Sequence, residues 1–218
     1  RVILAALAAE CTKATFFVVG EMAAAHPEVV KEIADQGHTI GTHTWSHRNL
    51  GHLAPASARA QIESAFAEVE KAAGRPIAPF FRYPYLSSTH ATVAYLQGRD
   101  IAQFAVDIDS SDWLIRNAQR VIQRVMTRLE ARRRGIVLLH DIHPSTALAV
   151  PGLLARLKEK GYRIVHLRPA APVQTLVVSD LPARSTATRL TRLSARSHRE
   201  PAHAKAEETN WSWKWPFW

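Results

Sequence analysis

The sequence carries a single cysteine, Cys11, among 218 residues, which excludes an internal disulfide and says little about compartment. Cys11 sits beside an apolar segment and reads as a small packing residue rather than a nucleophile. No apolar run reaches the roughly 18 residues that a membrane-spanning helix needs, so no transmembrane segment is expected. Nor does the chain open on a charged stretch, an apolar core and a cleavage site. It starts at Arg1, inside a helical pattern, and shows no signal peptide. Acids are scarce: 19 Asp and Glu face 28 Lys and Arg, for a net charge of +9. A basic balance invites a nucleic-acid partner. However, the last 38 residues hold seven bases against three acids, so +4 of the +9 lies there. The body is only mildly basic, and no nucleic-acid partner is expected for it.

The composition is otherwise that of a globular protein, 47% apolar and 22% charged, long enough for one α/β domain with an appendage. Apolar residues at helical spacing predict a helix over 1–10. The continuous apolar run 14–19, closed by Gly20, suits a strand buried on both faces. Pro27 opens a helix to about Gln36, stopped by Gly37, and 39–41 is a short strand. Further helices are predicted over 55–73, 91–97, 116–133 (basic on its outer face) and 146–160. Further strands fall at 80–82, 101–106, 136–139 and 162–167. Helices alternating with apolar strands indicate a parallel sheet, doubly wound or closed as a barrel. Beyond Arg168 the pattern lapses into prolines and a basic, Trp-rich stretch, read as a linker and disordered tail over 169–218. Its aromatics interleaved with bases could stack on bases, sugars or an interfacial membrane layer, or be an unselected or frame-altered terminus.

Four strings carry chemistry. Gly41-Thr42-His43-Thr44-Trp45-Ser46-His47 spaces two imidazoles four apart, which on a helical turn would let both reach one divalent cation. Arg82-Tyr83-Pro84-Tyr85 puts a forked cation beside a proline-stiffened turn, whose Tyr85 amide could meet a developing oxyanion. In Asp109-Ser110-Ser111-Asp112-Trp113 the acids could anchor an imidazole and the indole could wall a small pocket, or an Asx turn could use them instead. Asp107 is a weaker candidate. Ile136-Val137-Leu138-Leu139-His140-Asp141 delivers His140 at a strand end, a sensible place for a general acid, with His143 as competitor. His26, His38, His52, His90 and His166 read as structural or solvated. His43, Arg82, Asp109 and His140 all fall at predicted strand ends, where α/β folds collect their chemistry.

In that order, H-T-W-S-H, R-Y-P-Y, D-S-S-D-W and L-L-H resemble motifs two to five of the NodB-homology polysaccharide deacetylases (carbohydrate esterase family 4). The resemblance implies a distorted (β/α) barrel over 1–168 and removal of acetyl groups from chitin-like, peptidoglycan or xylan glycans. A divalent metal, most often zinc, would be the cofactor, with His43 and His47 as ligands. Arg82 would orient the base aspartate, and the Tyr85 amide would bind the oxyanion. Asp112 would tune His140, the acid that protonates the departing amine. Trp113 and Leu138 would line the acetyl pocket. An acetylated glycan as substrate further implies action outside the cytoplasm. The family's first motif, T-F-D-D-G-P, supplies the base and a third metal ligand, and nothing like it occurs in these 218 residues. The expectation is therefore a barrel missing its first strand, with two alternatives: an enzyme whose sequence begins late, or an inactive relative that binds glycans. Leu86 also departs from the Gly common in relatives. A binder of nucleic acid through residues 181–218 ranks last.

Overall fold

The computed structural model describes residues 1–171, an alternation of helices and short parallel strands. Strands β1 (Thr15–Val18), β2 (Thr39–Thr42), β3 (Phe80–Phe81) and β4 (Ala102–Gln103) form one sheet in that order. Strands β5 (Ile108–Asp109) and β6 (Val137–Leu138) form a second. Every pairing is parallel, as strands joined through crossover helices require. Gly41 fits this packing because it has no side chain: a Cβ there would lie 2.6 Å from the Phe80 carbonyl oxygen.

Around the sheets run α1 (Val2–Ala9), α2 (Gly20–Ala25), α3 (Pro27–Asp35), α4 (Pro55–Ala73), α5 (His90–Gln97), α6 (Ala118–Arg132) and α7 (Pro144–Glu159). Proline begins α3, α4 and α7, where its fixed φ suits the first turn and its missing N–H costs nothing. A Thr89–Thr92 capping box starts α5. Gly74, at φ +68°, ends α4 in the left-handed conformation that L-residues resist.

Each sheet has its own core. Ile62, Phe66 and Val69 of α4 pack with Ile33, Phe81 and Leu96. Val121, Val125 and Leu129 of α6 pack with Ile108 and Leu153. Burying each such side chain contributes about 1.5–3 kcal/mol. Leu7 of α1 joins Val150 and Leu154 of α7 in a third, smaller cluster.

The α/β expectation holds, with the barrel laid out as two parallel sheets instead of one ring. The outer edge of β1 has no strand beside it among the described residues, and β1 is only half-buried where β2 is fully buried. Three elements differ from the sequence pattern. The predicted strand 101–106 stops at Gln103. Phe104 N–H still reaches the Phe81 carbonyl at 2.9 Å, and the chain then changes partner, so that Ile108 pairs with Val137. The predicted strand 162–167 is not a strand: Thr39 Oγ1 ties it down through the Leu167 carbonyl and His166 Nε2, at 2.7 and 2.8 Å. Helix α2 was not foreseen, since Gly20 read as a stop and is instead its first residue. The linker and tail expected over 169–218 lie, beyond Ala171, outside the described residues.

Candidate active site

The two imidazoles of the first string do meet, but not on a helix. His43 follows β2, and the chain through Thr44 (φ 67°) to His47 (φ 56°) is an irregular loop. The i, i+4 helical geometry expected from spacing is thus replaced by two left-handed residues that fold the loop back. The rings lie 4.8 Å apart in an edge-to-face contact. The loop is held from outside. Gly20 and Glu21, at the start of α2, donate to the Thr44 and Trp45 carbonyls at 3.0 and 2.8 Å. Trp45 N–H donates to the Gln61 carbonyl at 2.8 Å, and Ser46 N–H to Gln61 Oε1 at 3.0 Å. A Cβ on Gly20 would sit 2.7 Å from the Trp45 ring.

His43 is buried, and its Nδ1 bonds the Arg82 carbonyl at 2.6 Å. A carbonyl only accepts, so Nδ1 carries the proton and Nε2 keeps its lone pair, the tautomer of a metal ligand. Burial holds His43 well below the ordinary histidine range, helped by the charges of Arg82 and His47. His47 is lowered by burial too, then by His140 and Arg82. Both are therefore neutral bases at pH 7.

Arg82 follows β3 with its guanidinium 4.8 Å over the Phe17 ring. Burial lowers it to about 10, while Asp141 and Asp112 act in the opposite direction, so it stays charged. No ion pair joins it to a carboxylate among the described residues. The next residues turn sharply: Tyr85 and Leu86 have φ 57° and 54°, and Leu86 N–H closes onto the Tyr83 carbonyl at 3.1 Å. Tyr85 is 68% exposed, with its ring 5.0 Å from that of His47.

The third and fourth strings join. Asp112 is fully buried. Its Oδ1 accepts from His140 Nδ1 at 2.6 Å, and its Oδ2 from His140 N–H at 2.6 Å and Thr146 Oγ1 at 2.7 Å. These bonds hold its carboxyl below the usual range against the upward push of burial. His140 therefore presents Nε2 to the cleft with its orientation fixed. Asp109 takes the Asx-turn role, Oδ1 accepting from Ser111 N–H at 2.7 Å. Asp107 is structural, accepting from Ile136 N–H at 2.8 Å. His143 caps α7 through its carbonyl and lacks an anchoring carboxylate, so His140 is better placed as an acid. Trp113 is 52% exposed beside Asp112, and Leu138 is buried in β6 opposite Asp109.

Two residues of this cluster carried no assigned role in the sequence. Thr146 bonds Asp112 from the first turn of α7, a long-range contact with no local signal. Asp141 stood in the quoted string without a function. Its carboxyl is raised, because burial outweighs the opposing charges of His140 and Arg82.

The fit to a metal is incomplete. The tautomer of His43 and the adjoining His47 suit two positions of a tetrahedral site. No group of three His, Cys, Asp or Glu that could hold an ion occurs among the described residues.

The polysaccharide deacetylase family profile matches residues 1–104. The T48 deacetylase, solved with substrate, is 31% identical and superposes with a TM-score of 0.68 over 75% of this chain and 79% of its own. The chain belongs to the polysaccharide deacetylase family. Among the relatives of this deacetylase-family chain is the peptidoglycan-N-acetylglucosamine deacetylase PgdA of Listeria monocytogenes, 34% identical over 155 residues. That alignment covers 71% of the chain and 32% of PgdA, so the chain spans about a third of that relative. BA3943 of Bacillus anthracis, a CE4 family pseudoenzyme, is 27% identical with a TM-score of 0.69, over 74% of this chain and 56% of its own. The family thus includes both working and silent members with this fold.

Proposed function

We propose that this protein is a hydrolase that removes acetyl groups from an N-acetylglucosamine-containing glycan, chitin-like or peptidoglycan, acting outside the cytoplasm. The reading rests above all on the buried Asp112 carboxylate holding His140 at a strand end that faces His43, His47 and Arg82. In it, His140 Nε2 protonates the departing nitrogen and Asp112 steadies the imidazolium. Arg82 orients a carboxylate, and the Tyr85 amide meets the oxyanion. Trp113 and Leu138 border the acetyl group. His43 and His47 are two ligands of a divalent metal, zinc first. Since the ligand set is incomplete, no step is assigned to the metal.

The test is acetate release from chitotetraose and from peptidoglycan by zinc-loaded protein. The expected result is release that chelator abolishes and that His140→Ala lowers about 10²–10⁴-fold, the usual contribution of a general acid. Zinc-loaded protein that frees no acetate from either substrate contradicts the proposal.

One observation favours a second reading, a glycan binder without catalysis. Arg82 faces no paired carboxylate, and no third potential ligand joins the two imidazoles among the described residues. That reading expects chito-oligomers to bind without acetate appearing.

A further inference from the structure

We propose that the arginine ladder on α6 is a binding groove for an anionic stretch of the glycan, one bearing carboxylate or phosphate groups along its length. The inference deepens the deacetylase reading and rests on it for the identity of the polymer.

Arg120, Arg124 and Arg128 recur every fourth residue, so they share one face of α6 at steps of about 6 Å along its axis. Together with Gln123 and Thr127 they line a cavity of about 330 Å³. None of the three makes an ion pair with Asp or Glu among the described residues. Among the described residues, the one acceptor that reaches any of their guanidinium groups is the Asp109 carbonyl, 3.3 Å from Arg128 Nη1. Arg124 Nε is shut from water with no acceptor at all. A helix normally offsets such a row with acids four residues away, and places acids, not bases, in its first turn. Helix α6 does neither: its first turn has no acid and contains Arg120. Local helix stability therefore gains nothing from this row, and an anionic partner could supply the compensating charge.

The position of the ladder indicates what supplies that charge. Asp109 ends β5, so Arg128 lies level with the C-terminal end of that strand. Arg116, in the loop just before α6, is close enough to His143 to lower its proton affinity, and His143 in turn feels Asp112 and His140. The row thus leads away from His140 as a line of cations, which a linear polymer reacting at His140 could follow. A polymer with one acidic group per sugar or two supplies oxygens in series, and guanidinium forks match carboxylate and phosphate alike. Nucleic acid would meet the same charges. The glycan is preferred because the line starts at the deacetylase site and because the ladder lacks an aromatic platform on which bases would stack.

The test compares binding of fluorescent hexagalacturonate, neutral chitohexaose and a single-stranded hexanucleotide to the full chain and to an Arg120→Gln/Arg124→Gln/Arg128→Gln variant, across salt. The expected result is saturable hexagalacturonate binding that weakens at least tenfold in the variant and loses most of its salt dependence. Chitohexaose binding and acetate release from neutral chitotetraose should stay unchanged. Unaltered hexagalacturonate binding in the variant overturns the groove, and tighter hexanucleotide binding overturns the choice of glycan. If neutral chitotetraose yields no acetate while the ladder still binds hexagalacturonate, the catalytic reading fails and the groove survives.

Discussion

The two halves of the candidate site are built to different standards of completion. On the second sheet, each oxygen of Asp112 has a donor, three in all, and His140 is fixed by ring and backbone together. On the first sheet, the corresponding groups are poised but unpaired. Among the described residues, Arg82 makes no ion pair with a carboxylate, His43 Nε2 has no hydrogen-bond partner, and Thr42 Oγ1 and Thr44 Oγ1 are buried without partners. Orphaned buried polar groups are costly, and within the candidate site the two threonine hydroxyls lie on the imidazole side while Asp112 has no orphaned oxygen. The contrast separates what the chain does for itself from what it leaves to a ligand.

The largest expected effect comes from breaking the complete half. Asp112→Ala strands the His140 N–H, its ring and the Thr146 hydroxyl, and should cost about 3–5 kcal/mol, read by urea unfolding. A loss below about 1 kcal/mol would make the pair far less important than its geometry implies. Because the fold lowers the Asp112 pKa, its stabilisation is fully present above the unfolded value of about 3.9 and is lost as pH falls through the lower folded value. Next is Gly20→Ala, whose Cβ would press on Trp45 at 2.7 Å. It should cost about 1–3 kcal/mol and weaken zinc uptake while sparing the His140 half. Third, the histidines lowered by burial make the protein acid-sensitive in a specific window. The unfolded chain takes up protons below about 6.5 where folded His43, His47 and His38 do not, so stability falls as pH drops from there. For His38 the decline runs to about 4, and urea midpoints at successive pH values read it. The smallest effect belongs to Asp109→Asn, which keeps an oxygen for the Ser111 turn and should stay within about 0.5 kcal/mol of the parent.

The sequence disclosed the apolar strands well because burial on both faces leaves a continuous signature, as in 14–19 and 39–41. Of the four residues it placed at strand ends, Asp109 went to an Asx turn, while His43, Arg82 and His140 lie close together, with Asp112 on His140. It could not disclose how His43 and His47 meet. A helical turn and a loop with two left-handed residues share the same i, i+4 spacing, and the loop is selected by distant Gly20 and Gln61. The choice between Asp109 and Asp112 was hidden from the local pattern, though the family resemblance pointed to Asp112. Both acids suit an Asx turn, and only the strand pairing of Asp109 with Leu138 leaves Asp112 to reach His140. Thr146 contributes a bond across 34 residues that no local pattern records. The strand expected at 162–167 failed because its tie to β2 runs through the Thr39 side chain rather than a backbone ladder.

The central claim is that His43 and His47 bind one metal ion together on the unfinished half. Zinc-edge X-ray absorption on the zinc-loaded chain tests it most directly. Two imidazole nitrogens at about 2.0–2.1 Å from zinc are predicted, falling to one in His47→Ala, with the shell of His140→Ala unchanged. A zinc shell that is the same in the parent and in His47→Ala would contradict the account.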